Sequence, residues 1–390
     1  MGKRWKEHFG CTPFLQSKSS PVWIHAVSVG EVIAISPLIK KLKKQHPLQV
    51  ILLTTTTPTG AEQAIKLGDL IEHRYMPIDF SFAVRSFIKK TQPTQLLIME
   101  TELWPNTLHA AAEAGLTITI VNARLSQRSA NRYAKVPPIF NLLAENISKL
   151  LCQHEDDAQR FIKLGIAAEK IEVTGSIKFD IEITPQIKDT AKQLKQDLGS
   201  RPIWIAASTH QGEDEKVLDA HNKLLTVFPN ALLILVPRHP ERFNDAYTLC
   251  QRSGFKIVRR SNKEDVPTAC QVYLADTMGE MLILLGAADI CFMGGSLIGD
   301  KVGGHNLLEP AALGLPSLTG PSFFNFTDIT EQLKKNNSTN VINNAEQLSI
   351  QLINLFDNEE ELNQRGQAAL AVVRSNKGAI QKTLNHLNFR

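Results

Sequence analysis

Residues 22 to 32 read VWIHAVSVGEV, and the fold turns on how this run ends. Val22 to Ser28 is mostly apolar without strict alternation, the pattern of a strand covered on both faces. Gly30 then allows a tight turn, and Glu31 falls in the first turn of a helix. Similar short apolar runs recur at Gln49–Thr55, Arg74–Ile78, Gln95–Met99, Thr117–Asn122, Leu150–Gln153 and Ile171–Thr174, with helical stretches between them. Strands of this kind alternating with helices predict a doubly wound parallel sheet.

After the stretch GSIKFD at 175–180 the sequence turns polar as far as Arg201, and then the pattern restarts. Pro202–Ser208, Ala231–Val236, Phe255–Val258, Gln271–Leu274, Ile290–Met293 and Ser317–Leu318 form a second series. At 390 residues the chain is too long for one ordinary core, which agrees with two lobes. The expected organisation is a first Rossmann-like domain over 1–175, a linker over 176–200 and a second Rossmann-like domain over 201–390. Helices close the chain from Asn344, the last of them able to pack back across the first lobe. Two such lobes would set the carboxyl ends of two sheets face to face across a cleft, where open α/β sheets bind ligands.

Composition narrows the function classes. A content of 43% hydrophobic and 21% charged residues is that of a globular rather than a disordered chain. The net charge of +4 favours anionic partners but lacks the focused basic character of a nucleic-acid binder. Five widely spaced cysteines without a CxxC pair argue against a disulfide framework or a thiolate metal site, and fit a reducing compartment. No apolar window is long enough to span a membrane, and the start MGKRWKEHFG has no signal-peptide core.

The chemistry-bearing residues collect at strand ends. Glu31 is either an acid complementing a helix dipole or a carboxylate placed to take a proton from a substrate hydroxyl, and the motif alone does not choose. Glu100 and Glu102 follow the run Gln95–Met99, and extended geometry would point both the same way. Arg124 and Arg128 after the fifth strand, and Lys178 in GSIKFD, are surface cations or anion contacts. In the second half, Ser208-Thr209-His210 opens a helix with free N–H groups, and Pro237-Arg238 fixes a guanidinium at a strand end. Thr277-Met278-Gly279-Glu280 forms another turn. Gly294-Gly295-Ser296 and Gly303-Gly304-His305-Asn306-Leu307-Leu308-Glu309 allow close backbone approach, with Glu309 able to accept from ribose hydroxyls. The absence of GxxxxGK[ST] and of GxGxxG after the first strand disfavours P-loop enzymes and dehydrogenases.

Taken in order, HAVSVGE, TTTTPTG, METELWPN, VNARLSQRS, GSIKFD, PRHPERF, DTMGE, GGSL, GGHNLLEPAALG and GPSFFNF closely resemble the 3-deoxy-D-manno-octulosonic acid (Kdo) transferases of Gram-negative bacteria, over nearly the whole chain. The resemblance implies a GT-B glycosyltransferase that moves Kdo from CMP-Kdo to a lipid A precursor, lipid IVA, with no cofactor and no metal in the donor site. It implies Glu31 as catalytic base, Glu102 and Lys178 as transition-state-assisting residues, and CMP contacts from Pro237, Arg238, Met278, Gly279, Glu280, Asn306, Leu307, Leu308 and Glu309. It also implies a place on the cytoplasmic face of the inner membrane and an apolar anchoring helix ahead of the present start. Lys40, Lys41, Lys43 and Lys44 are either a solvated helix face or, with the apolar Phe80, Phe82 and Phe87, contacts to anionic lipid headgroups and a lipid A phosphate; no nucleic acid is expected. A UDP-sugar epimerase or another GT-B transferase shares the architecture, and CMP against UMP binding separates them. A non-catalytic nucleotide-binding protein would have no use for Glu31 and Glu102.

Overall fold

A computed structural model describes residues 4–17 and 19–389. The chain forms two compact units, one of residues up to Asp180 together with Asn376 onward, the other Ile181–Ser375. The stretch 176–200 contributes the turn Ile177–Phe179 to the first unit and the helix Pro185–Leu198 to the second.

The first unit holds strands β1 (Val22–His25), β2 (Ile51–Thr55), β3 (Glu72–Tyr75), β4 (Gln95–Met99), β5 (Thr117–Ala123), β6 (Lys149–Cys152) and β7 (Ile171–Val173). They pair in parallel in the order β3-β2-β1-β4-β5-β6-β7. Successive side chains go to opposite faces, and both faces are covered. Trp23, Leu52, Leu96 and Ile98 join one cluster with Phe87, Phe140 and Phe161. Val22, Ile24, Leu53, Leu97 and Met99 join another with Ile35, Leu38 and Leu42 of the helix Val29–Gln45 and with Ala379, Ile380 and Leu384 of the C-terminal helix. Two buried faces explain why these strands read as apolar without alternation. The order reverses between β1 and β4, so the chain leaves these two strands toward opposite faces and a crevice opens at their carboxyl ends.

The second unit repeats the plan with β8 (Ile203–Thr209), β9 (Leu232–Pro237), β10 (Ile257–Arg259), β11 (Val272–Leu274), β12 (Ile290–Met293), β13 (Ser317–Thr319) and β14 (Thr339–Val341). All pairs are parallel, in the order β10-β11-β9-β8-β12-β13-β14, and the reversal lies between β8 and β12. The crevice there is closed by a carboxylate. Glu213, fully buried, accepts from His210 N (2.9 Å), Gly295 N (2.6 Å), Ser296 N (2.9 Å) and Leu297 N (2.8 Å), two donors to each oxygen.

The glycines beside it serve the fold. A Cβ on Gly294 would stand 2.7 Å from the Ser208 carbonyl oxygen, and one on Gly303 would stand 2.5 Å from the Phe324 ring. At these two positions glycine lets the protein approach itself. Helices hold residues 345–385 almost continuously, as the sequence leads one to expect.

Replacing Glu213 by Ala leaves the buried N–H groups of Gly295, Ser296 and Leu297 without an acceptor, each costing about 1–3 kcal/mol, and that of half-buried His210 as well. We expect Glu213→Ala to lower the urea midpoint of the second unit, with Glu213→Gln intermediate because an amide oxygen still serves some of the donors. Equal midpoints for Glu213→Ala and the parent would overturn this account.

Candidate active site

In the first unit, Ser28 caps the helix Val29–Gln45 and Glu31 reaches back over that cap. The Ser28 Oγ accepts from Glu31 N, while the Glu31 carboxylate accepts from Val27 N (2.9 Å) and Ser28 Oγ (3.0 Å). The structural reading of this acid is therefore real, but it is not the whole of its chemistry. Burial pushes the Glu31 carboxyl up to about 7. The two hydrogen bonds oppose that rise, and the negative charges of Glu100 and Glu102 add to it. A carboxylate that gains and loses its proton near neutrality stands at the β1/β4 switch point with two further acids beside it.

Glu100 does not continue β4. It sits at φ +56°, in the left-handed region, its N–H donating to the Val121 carbonyl at 2.9 Å. The expectation that extended backbone carries Glu100 and Glu102 to one side is thus corrected, because the strand ends at Met99 and the chain turns. A non-glycine residue held at positive φ is sparsely populated backbone of the kind that clusters at functional sites. The two acids take separate partners: Glu100 Oε1 accepts from Lys178 Nζ at 2.7 Å, and Glu102 Oε2 accepts from the Trp104 indole at 3.1 Å.

Lys178 is held in place from both sides of its turn. Buried Asn122, another residue at positive φ (+57°), accepts from Ile177 N at 3.1 Å. Asp180 accepts from Gly378 N and Ile380 N, each at 2.6 Å, and so caps the C-terminal helix. The sequence reading singled out neither residue as a support, although Asn122 ends an apolar run where a side-chain acceptor has value. A cavity of about 500 Å³ opens beside Trp104, lined by His8, Met76, Ile78, Leu103 and Pro105 among others. Its one carboxylate, Asp79, is engaged by Asn106 N and Thr107 N at the start of the helix Pro105–Glu113. Arg124 and Arg128 are exposed on the loop and helix after β5.

The second unit treats its expected nucleotide contacts unequally. Pro237 ends β9 and is buried, while Arg238 is exposed and its N–H donates to the Thr209 carbonyl at 2.9 Å. Glu309 is raised above the usual carboxylate range by burial, an effect that the Arg238 charge partly offsets, so these two groups lie within each other's field. Glu280 is bidentate to Arg260 at 2.6 and 2.8 Å and also accepts from Thr277 Oγ1, which holds its carboxyl below the usual range. Its carboxylate is therefore committed to shaping the turn in which Met278 is exposed and Gly279 has φ +84°. Leu307 and Leu308 are buried, Leu308 completely, leaving only their backbones for any ligand. Asn306 Oδ1 accepts at 3.0 Å from the N–H of Leu308, the first residue of the short helix Leu308–Ala312.

Comparisons with known proteins bear on this geometry. Residues 3–181 match the family model described as 3-Deoxy-D-manno-octulosonic-acid transferase (kdotransferase). The 3-deoxy-D-manno-octulosonic acid transferase of Haemophilus influenzae is 41% identical over 99% of this chain and 91% of its own length. The chain belongs to the Kdo transferase family. The Bordetella pertussis transferase is 36% identical over 80% of this chain and 73% of that protein. This Kdo transferase is thus a glycosyltransferase of lipopolysaccharide biosynthesis, with two doubly wound Rossmann-like units of the GT-B type. Among solved structures, the UDP-GlcNAc 2-epimerase of Neisseria meningitidis covers 93% of the transferase at a TM-score of 0.58, and the match spans 100% of the epimerase. At 16% identity that likeness concerns the fold alone.

The raised Glu31 carboxyl has a consequence for stability. The folded transferase binds the Glu31 proton more tightly than the unfolded chain does, so this contribution is full below the unfolded value and is lost as pH rises through about 7. Glu31→Gln removes the charge, and we expect it to raise Tm relative to the parent at about pH 8.5 more than at about pH 5. Thermal melts at the two pH values check this; a Tm difference that does not change with pH would return Glu31 to an ordinary carboxylate.

Proposed function

We propose that this Kdo transferase moves Kdo from CMP-Kdo to a lipid A precursor, lipid IVA, with Glu31 as the general base. The observation that carries the reading is the buried Glu31 carboxylate, pushed up to about 7 at the β1/β4 switch point. In the reaction, a hydroxyl oxygen of the acceptor glucosamine attacks C2 of Kdo. The bond from C2 to the phosphate oxygen breaks, CMP leaves with that electron pair, and the hydroxyl proton passes to Glu31. Base assistance of this kind contributes about 10²–10⁴-fold.

Lys178 and Glu102 assist as charge builds and disperses. C2 takes on positive character while the leaving phosphate gains negative charge, and an ammonium held by Glu100 is oriented without being consumed. Arg238, the Met278-Gly279 turn and Glu309 bind the nucleotide. Arg238 supplies the cation and Glu309 the acceptor for ribose hydroxyls. Within the set Asn306 to Glu309, the buried leucines contribute backbone only.

The enzyme works at the cytoplasmic face of the inner membrane, where its acceptor lies. Exposed Lys40 and Lys44, with the stacked and exposed Phe80 and Phe82, are the peripheral contacts. Phe87 is not one of them, since it is buried against Trp23, and Lys43 is engaged with the carbonyls of Pro47 and Gln49. Among the described residues no helix is long and apolar enough to cross a membrane.

Incubation with CMP-Kdo and lipid IVA followed by mass spectrometry should show the acceptor gaining Kdo. Glu31→Gln should lower kcat by roughly 10²-fold or more with little change in CMP affinity. Near-normal turnover in that variant would remove the base assignment. For the membrane, reversing the charge of Lys40 and Lys44 should weaken binding to anionic liposomes at low salt. Partitioning equal to the parent would make these lysines a solvated helix face.

A further inference from the structure

Three histidines gather at the carboxyl ends of β8 and β9 and on the loop before Asn306. His210 and His305 lie end to end, ring centroids 5.1 Å apart and planes 13° apart, with their Nε2 atoms 2.9 Å from each other. His239 meets His210 edge-on at 5.3 Å. The backbone locks the pair. His210 N donates to Glu213, and a Cβ on Gly295 would come within 3.0 Å of the His305 ring.

Two ring nitrogens at 2.9 Å share one hydrogen, so one Nε2 donates and the other accepts. In the uncharged pair the two Nδ1 positions therefore comprise one N–H and one lone pair. One added proton fits on that lone pair and keeps the shared bond. A second would set N–H against N–H. The capacity of the dyad is one proton.

We propose that the His210–His305 dyad, next to Arg238, is a phosphate subsite that takes up a proton when the nucleotide phosphate arrives. This rests on the reading of the second unit as the CMP-Kdo site. Without ligand the groups facing the dyad keep it neutral. Burial is the largest influence on both rings and pushes His305 down to about 4. Arg238 and His239 oppose a charge on either ring, Arg242 opposes one on His210, and Glu213 favours one there. Two of these groups are already committed. Arg242 is paired to Asp214 and donates to the Thr209 carbonyl, and the Glu213 carboxylate is filled by backbone N–H groups. His239 itself lies 3.9 Å from exposed Glu241. A phosphate dianion at Arg238 reverses the balance, because it supplies negative charge and an acceptor for a second Nδ1–H. The dyad then offers two N–H donors where it had one.

The test is calorimetric titration of the full chain with CMP at about pH 7.5, where a phosphate monoester is already mostly dianionic. Buffers of different ionisation enthalpy, HEPES and Tris, read proton uptake, and cytidine serves as the ligand without phosphate. We expect uptake approaching about one proton with CMP and none with cytidine. CMP affinity should fall by up to about tenfold per pH unit as pH rises. His305→Gln, checked for folding by circular dichroism, should bind CMP more weakly, with heats independent of buffer and affinity independent of pH. If that variant does not fold, the wild-type buffer and pH dependence decides. Wild-type binding of CMP without proton uptake, or equal uptake with cytidine, overturns the dyad while leaving the nucleotide site intact. Wild-type protein that binds no CMP overturns the donor-site reading and this inference with it.

Discussion

Backbone N–H groups left over where a parallel sheet ends have to be satisfied, and in this chain carboxylates do much of that work. Glu213 takes four such groups in the second unit. Asp79 takes those of Asn106 and Thr107, Asp180 those of Gly378 and Ile380, Asp157 that of Leu125, and Asp276 that of Ser261. The loops that shape both crevices hang on these contacts. Charge-assisted hydrogen bonds are stronger than neutral ones, so each acid fixes a turn that the local sequence leaves open.

Glu31 and Glu213 show how one device yields two outcomes. Each lies three residues beyond a residue of the loop that follows a strand, Ser28 or His210, and each reaches back toward it. Glu213 is fully buried and has both oxygens saturated, which leaves it no lone pair to offer a substrate. Glu31 has a single backbone donor and one hydroxyl, with two acids nearby. Its charged form is poorly compensated, and that poor compensation is what leaves burial free to push the carboxyl up to about 7. The difference between the two acids is how completely each is capped.

The sheets were legible because their strands are buried on both faces, which writes an unbroken apolar run into the sequence. Boundaries moved by up to three residues, as at Val22–Ser28 against Val22–His25, and the short edge strand Thr339–Val341, only partly buried, is not marked by an apolar run. The acids were legible as strand-end residues, but not their orientation. The left-handed backbone of Glu100 depends on a hydrogen bond to Val121, and its partner Lys178 is 78 positions away, so neither follows from local pattern. The glycine pairs are legible as places of close backbone approach, but not that other parts of the protein crowd Gly294 and Gly303. Motif matching marked Leu307 and Leu308 without separating side chain from backbone, and their burial now does so.

The first unit is discontinuous, and this orders its assembly. Its second core cluster needs Ala379, Ile380, Leu384 and Leu387, and Asp180 accepts from the N–H groups of Gly378 and Ile380, 198 and 200 positions on. During synthesis, residues 181–375 emerge as one contiguous segment and can fold before the chain is finished. The first unit must wait with Val32, Ile35 and Leu38 incompletely covered until the last helix leaves the ribosome. The half of the molecule made first is therefore the half completed last, and for that interval its apolar surface is the nascent chain's main exposure to misassembly.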